Sequence, residues 1–152
     1  MDTVVGNGIN NVMDSAVKFG AGRYRQGRGV LEHCGQEIRR FGKKAYIVSG
    51  PRAFDAVKDR LLPGLTEAGV EFVAEIYDGV CSYEAAEALG KKCLDAGCDE
   101  VVGIGGGVIM DLSKAVAGKA GVGVINIPTS IATCAAFTAM SVMYTPQGAM
   151  KD

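Results

Sequence analysis

Residues 103–115 read GIGGGVIMDLSKA, and they follow the acidic pair and apolar doublet DEVV at residues 99–102. Gly105, Gly106 and Gly107 separate a short apolar run from a segment with helical spacing. A chain that drops three successive side chains between a strand and a helix gains a bend whose backbone can come close to whatever lies above it. The helix that begins there presents unpaired N–H groups and a partial positive charge, which together suit an anion such as a diphosphate. On the glycines alone two readings stay open: a phosphate cradle, or a tight strand-to-helix turn with no ligand. The pattern is not G-x-G-x-x-G, and there is no G-x-x-x-x-G-K-[ST] loop. Lys114 lies about two helical turns into the segment and reads by itself as a solvated helix residue.

Working outward, the chain repeats the same alternation. AYIVSG (45–50), VEFVAEIYD (70–78), DEVVGIGG (99–106) and VGVINIP (122–128) are short apolar runs that predict strands. Between them lie RAFDAVKDRLLPGLTEAG (52–69), SYEAAEALGKKCLDAG (82–97) and residues 108–119, each with helical spacing. Ala53, Val57, Leu61 and Leu65 fall on one side of the first, and Pro63 is expected to kink or split it. Ser82 is the expected N-cap of the second and Gly97 its stop. Strands that read as continuous apolar runs, alternating with helices, predict an α/β domain with a parallel sheet and helices on both faces. GRYRQG (22–27) is expected as an edge strand, residues 30–41 as a helix, and TAMSVMYT (138–145) as a strand entering the turn TPQGA. Residues 1–20 are weakly patterned and are expected to form a mobile N-terminal arm of a single domain spanning 1–152.

Composition narrows the function classes. Lys and Arg number 16 against 17 Asp and Glu, so no basic excess points to nucleic acid or an acidic membrane surface. The five cysteines (Cys34, Cys81, Cys93, Cys98 and Cys134) include no C-x-x-C pair. They predict neither a disulfide framework nor a structural zinc site, but small buried thiols in a reducing cytoplasm. The N-terminus has an acid at position 2 and no apolar signal core. Residues 120–143 are poor in charge, yet Asn126, Pro128 and many small polar residues break the run of about 20 apolar residues a membrane helix needs.

GIGGGVIMDLSKA, followed by IPTSIATCAAFTAMSVMYT (127–145) and preceded by Cys81, Ser82 and Glu84 after the second strand, resembles the glycerol dehydrogenase branch of the iron-containing alcohol dehydrogenase superfamily. The D-S-S-V-G-G-K-T signature of the related dehydroquinate synthases is not present. The resemblance implies a Rossmann-like N-terminal domain that binds NAD or NADP. It implies that Gly105, Gly106, Gly107, Val108 and Asp111 hold the pyrophosphate and neighbouring ribose. Thr129, Thr138, Met140 and Tyr144 match positions lining the adenine and nicotinamide parts of the cofactor site. The implied reaction is hydride transfer between a small alcohol or polyol and the nicotinamide, with a catalytic Zn or Fe ion held by a second, helical domain.

Three positions depart from that pattern. Cys134 stands where the branch carries a substrate-contacting Asp; a thiol is a weak acceptor for a polyol hydroxyl, and the residue reads as small and packed rather than nucleophilic. Gly50 stands where an acid often holds the adenosine ribose, which removes a repulsion against a 2′-phosphate. Arg52 lies close enough in sequence to attract such a phosphate but reads more simply as a first-turn helix residue. Finally, the resemblance runs from about Tyr24 to the last residue and does not reach the metal-binding domain. His33 is the one histidine and reads as a surface or capping residue, so no metal ligands are expected in the chain. The 152 residues are therefore expected to bind dinucleotide with little or no turnover. Their exposed apolar surface is expected to favour a homo-oligomer. The alternative on the same fold is a non-catalytic nucleotide-binding or assembly module.

Overall fold

The computed structural model describes residues 20–151. The expected N-terminal arm, apart from Gly20, lies outside the described residues. The elements follow in the order α1 (Cys34–Arg39), β1 (Lys44–Ser49), α2 (Pro51–Glu67), β2 (Glu71–Ile76), α3 (Tyr83–Asp95), β3 (Glu100–Gly105), α4 (Gly107–Ala120) and β4 (Gly123–Pro128). The four strands form one sheet in the order β2-β1-β3-β4, and every neighbouring pair is parallel. This is the α/β, Rossmann-like architecture expected from the alternation of strands and helices.

Side-chain alternation on the central strands builds two cores. Ala45 and Ile47 of β1 and Val102 and Ile104 of β3 point to one face, where Ile38 of α1 and Val57, Leu61 and Leu65 of α2 cover them. Tyr46, Val48 and Val101 point to the other face, beneath Ala86, Leu89 and Cys93 of α3 and Met110, Leu112 and Val116 of α4. All six residues of β3 are buried, as a central strand covered on both sides must be. The helices end as expected. Ser82 Oγ accepts from the Ala85 amide at the start of α3, and Gly97 takes φ +67° just after its end.

Four local expectations change. Pro63 does not split α2, which runs unbroken from Pro51 to Glu67, with the buried Val57 and Leu61 before the proline and the buried Leu65 after it. Only Cys34–Arg39 of residues 30–41 is α-helical; the amides of His33 and Cys34 bond three residues back, to Val30 and Leu31, in tight turns. GRYRQG is not a strand. Among the described residues its backbone has no strand partner, and Arg23 and Arg25 instead reach Glu37 of α1, each at 3.0 Å. Residues 138–145 are not a strand either, but an irregular strap with one isolated bridge, Tyr144 to Met150. The turn that follows does form, with Gly148 N donating to Thr145 O at 2.8 Å. Among the described residues no helix is long and apolar enough to cross a membrane.

Candidate functional site

The strand order creates the site. β1 leads through α2 to β2 on one side, whereas β3 leads through α4 to β4 on the other, so the direction of winding reverses between β1 and β3. In open α/β sheets a crevice opens at such a point, beyond the carboxyl ends of the strands. At that point Gly50 follows the end of β1 and the triple glycine stands at the end of the neighbouring β3. Ser49 Oγ donates to the Ile104 carbonyl at 2.9 Å and so ties the two strand ends together. A Cβ placed on Gly50 would come no closer than 3.9 Å to anything, meeting only Ile109 of α4. The end of β1 therefore borders the first turn of α4.

The glycines around the bend do different jobs. A Cβ on Gly103 would lie 2.4 Å from Ser113 Oγ and 2.9 Å from Asn126 Oδ1, so this glycine lets α4 approach the sheet. A Cβ on Gly105 would meet Ile109 Cβ at 2.9 Å, again a packing requirement. On Gly107 it would stand 3.4 Å from Thr133 Oγ1, in ordinary contact with the loop after β4. Gly106 differs from all three. Its φ is −91°, which any residue adopts, and a Cβ there would meet nothing within 4 Å among the described residues. Neither backbone conformation nor internal packing asks for glycine at this position. Gly106 is the N-cap of α4 and gives that helix no side-chain cap bond, so the orphan N–H groups of the helix start are left for another partner.

The remaining expected site residues divide into two groups. Thr129 sits at the bend, its amide donating to the Gly105 carbonyl at 2.9 Å. Val108, exposed in the first turn of α4, and Cys134, exposed in the loop beyond β4, belong to the same end of the sheet. The exposure of Cys134 corrects its reading as a packed residue. Thr138, Met140 and Tyr144 lie on the strap, which returns from β4 along α4 and ends at the loop after β2, where the Tyr144 amide donates to the Cys81 carbonyl at 2.7 Å. Asp111 is buried in α4. Its Oδ1 lies 2.9 Å from Lys114 Nζ, and its Oδ2 accepts from the Val142 amide at 3.2 Å. Lys114 is thus not the solvated residue expected. Its side chain is 10% exposed and donates to the carbonyls of Thr138 and Met140. The i, i+3 spacing of Asp111 and Lys114 is visible in the sequence, but the burial that makes the pair structural is not.

Other candidates are quieter. His33 and Arg52 are both on the surface; His33 makes no cap bond, and Arg52 is the second residue of α2. Burial pushes the Cys81 thiol up to about 11, with the charge of Asp111 adding to the effect and Lys114 opposing it, so it stays protonated near neutrality. Among the described residues no group of three or more His, Cys, Asp or Glu side chains is gathered to hold a metal ion.

The model of one protein family, iron-containing alcohol dehydrogenase, matches residues 21–152. The chain belongs to the iron-containing alcohol dehydrogenase family. A glycerol dehydrogenase of Thermotoga maritima is 37% identical over 131 residues, which is 86% of this chain and 35% of that protein. A glycolaldehyde reductase of Halobacterium salinarum is 30% identical over 129 residues, 85% of this chain and 35% of its own length. In three dimensions, a probable glycerol dehydrogenase of Sinorhizobium meliloti superimposes with a TM-score of 0.72 at 27% identity, covering 82% of this chain and 33% of that one. The chain thus spans about a third of the length of these family members.

Proposed function

We propose that this chain is the NAD(P)-binding part of an alcohol or polyol dehydrogenase. The observation that carries the reading is Gly106, a glycine that no internal contact requires, placed over open space at an uncapped helix N-terminus in the crevice where the winding reverses. The diphosphate of a nicotinamide dinucleotide fits that combination. Backbone amides of the first turn of α4 bind its oxygens, the helix dipole favours its charge, and the missing side chains let it approach. Gly50 adds no acid at the neighbouring strand end, and Arg52 follows it in the first turn of α2, so a 2′-phosphate meets no repulsion there and NADP is accepted alongside NAD. When bound, the nicotinamide supplies the hydride chemistry; the chain's part is to bind and orient it. The substrate class is a small alcohol or polyol, with the exposed Cys134 near it.

Among the described residues no cluster of three or more His, Cys, Asp or Glu side chains offers a ligand set for Zn or Fe. The reading places the chain in the cytoplasm. It also has the chain self-associating through the exposed Ile131 and Phe137, which light scattering reads directly. The deciding experiment is a fluorescence titration with NADH and with NADPH. Saturable binding of both supports the reading, and no binding of either at millimolar concentration overturns it.

A further inference from the structure

The strap at residues 138–142 has an unusual source of hydrogen bonds. No neighbouring strand pairs with it; two side chains of α4 do that work. Lys114 Nζ donates to Thr138 O at 3.0 Å and to the carbonyl of Met140, and it lies 3.5 Å from Thr138 Oγ1. Asp111 takes the Val142 amide, and the Ser141 hydroxyl donates to the Asp111 carbonyl at 2.9 Å. The ammonium and carboxylate side chains are 10% and 11% exposed and are themselves 2.9 Å apart. A buried ion pair gives little net stability in itself, because desolvation offsets the Coulomb attraction. A fully satisfied one, however, specifies a single arrangement of whatever it binds. Here every donor and acceptor of the pair that faces the strap is matched by a strap atom between Thr138 and Val142.

We infer that Asp111 and Lys114 are positioning residues that clamp the strap and thereby set Thr138, Met140 and Tyr144 at the nicotinamide end of a dinucleotide bound at the glycine bend, without touching the dinucleotide themselves. This rests on the dinucleotide reading above and deepens it. Both carboxylate oxygens of Asp111 are committed within the protein, so its effect on a ligand passes through the strap. The glycine bend is held independently, by the Ser49 bond to Ile104 and the Thr129 bond to Gly105. Loosening the clamp therefore affects the parts of a ligand that meet the strap and spares the diphosphate.

The test compares NADH with ADP, which engages the bend without the nicotinamide end, in wild type, Lys114→Met and Asp111→Asn. Losing a charge-assisted bond to the strap is expected to weaken NADH about tenfold in Lys114→Met, with ADP affinity within about twofold of wild type. Hydrogen exchange at the Val142 amide should accelerate in the same variant. Asp111→Asn retains an oxygen for that amide while removing the charge, and is expected to show the same split to a smaller degree if Lys114→Met does not fold. Equal losses for NADH and ADP, or no loss for either in a folded variant, overturn the inference while leaving the dinucleotide reading intact. Wild-type protein that binds neither ligand overturns that reading first, and this inference with it.

Discussion

Glu100→Gln should make the domain more stable at pH 8 and leave it nearly unchanged at pH 4.5. Glu100 opens β3, the central strand, between Ala45 of β1 and Gly123 of β4. Its side chain is fully buried, and among the described residues neither carboxylate oxygen has a hydrogen-bond partner. Burial raises its pKa from 4.5 to about 7, with the negative charge of Asp99 adding to the rise and Arg39 opposing it. Asp99 gives no relief, because its own oxygens accept the amides of Lys43 and Lys44. Between pH 4.5 and 7 the folded chain therefore holds a proton that the unfolded chain has released. Stability conferred by the protonated form is fully present below 4.5 and is lost as pH rises through 7. A shift from 4.5 to about 7 corresponds to about 3 kcal/mol, spread over that window. Urea unfolding of wild type and Glu100→Gln at pH 4.5, 6, 7 and 8 reads the difference directly. Parallel stability curves for the two proteins across that range would show that Glu100 finds a partner or solvent when it ionises.

Glu100 also shows what the sequence makes legible. Its place in DEVVGIGG marks a strand, and period-2 alternation puts it on the same face as Val102 and Ile104, both buried. A carboxylate in that phase is a visible anomaly, but its enclosure depends on α1 and the turn at Gly42, which pack there from elsewhere in the chain. The same division runs through the whole fold. The strands and the helices α2, α3 and α4 are governed by local apolar spacing and by caps such as Ser82 and Gly97, so they are readable. The stretch at 138–145 has the alternation of a strand, yet the backbone groups of Thr138, Met140 and Val142 bond to the side chains of Lys114 and Asp111, some 24 to 31 residues earlier. Nothing local announces such partners. The triple glycine is legible as a bend, but its three members look alike on paper. Only the packing around them separates Gly105, pressed against Ile109, from Gly106, which faces nothing.

That separation gives the sharpest test of the site. Gly106→Asp is expected to lower NADH affinity by at least about tenfold while leaving stability unchanged or raised by a few tenths of a kcal/mol. The two effects point in opposite directions for a physical reason. Asp is a good N-cap and an anion favoured at a helix N-terminus, so α4 gains a bond to its first-turn amides. Those are the amides, and that is the space, which a diphosphate would use, and the new carboxylate both occupies the site and repels the ligand. No internal clash is expected to confuse the result, since a Cβ at position 106 meets no atom within 4 Å. The neighbouring substitution supplies the contrast. In Gly105→Ala the added methyl lies 2.9 Å from Ile109 Cβ, and overpacking of this kind costs about 1–3 kcal/mol of stability. Thermal unfolding and NADH titration of both variants should therefore place the stability loss at position 105 and the affinity loss, without loss of stability, at position 106. A Gly106→Asp protein that folds and binds NADH as wild type does would mean that the diphosphate does not sit on the amides of α4. The open space above Gly106 would then need another explanation.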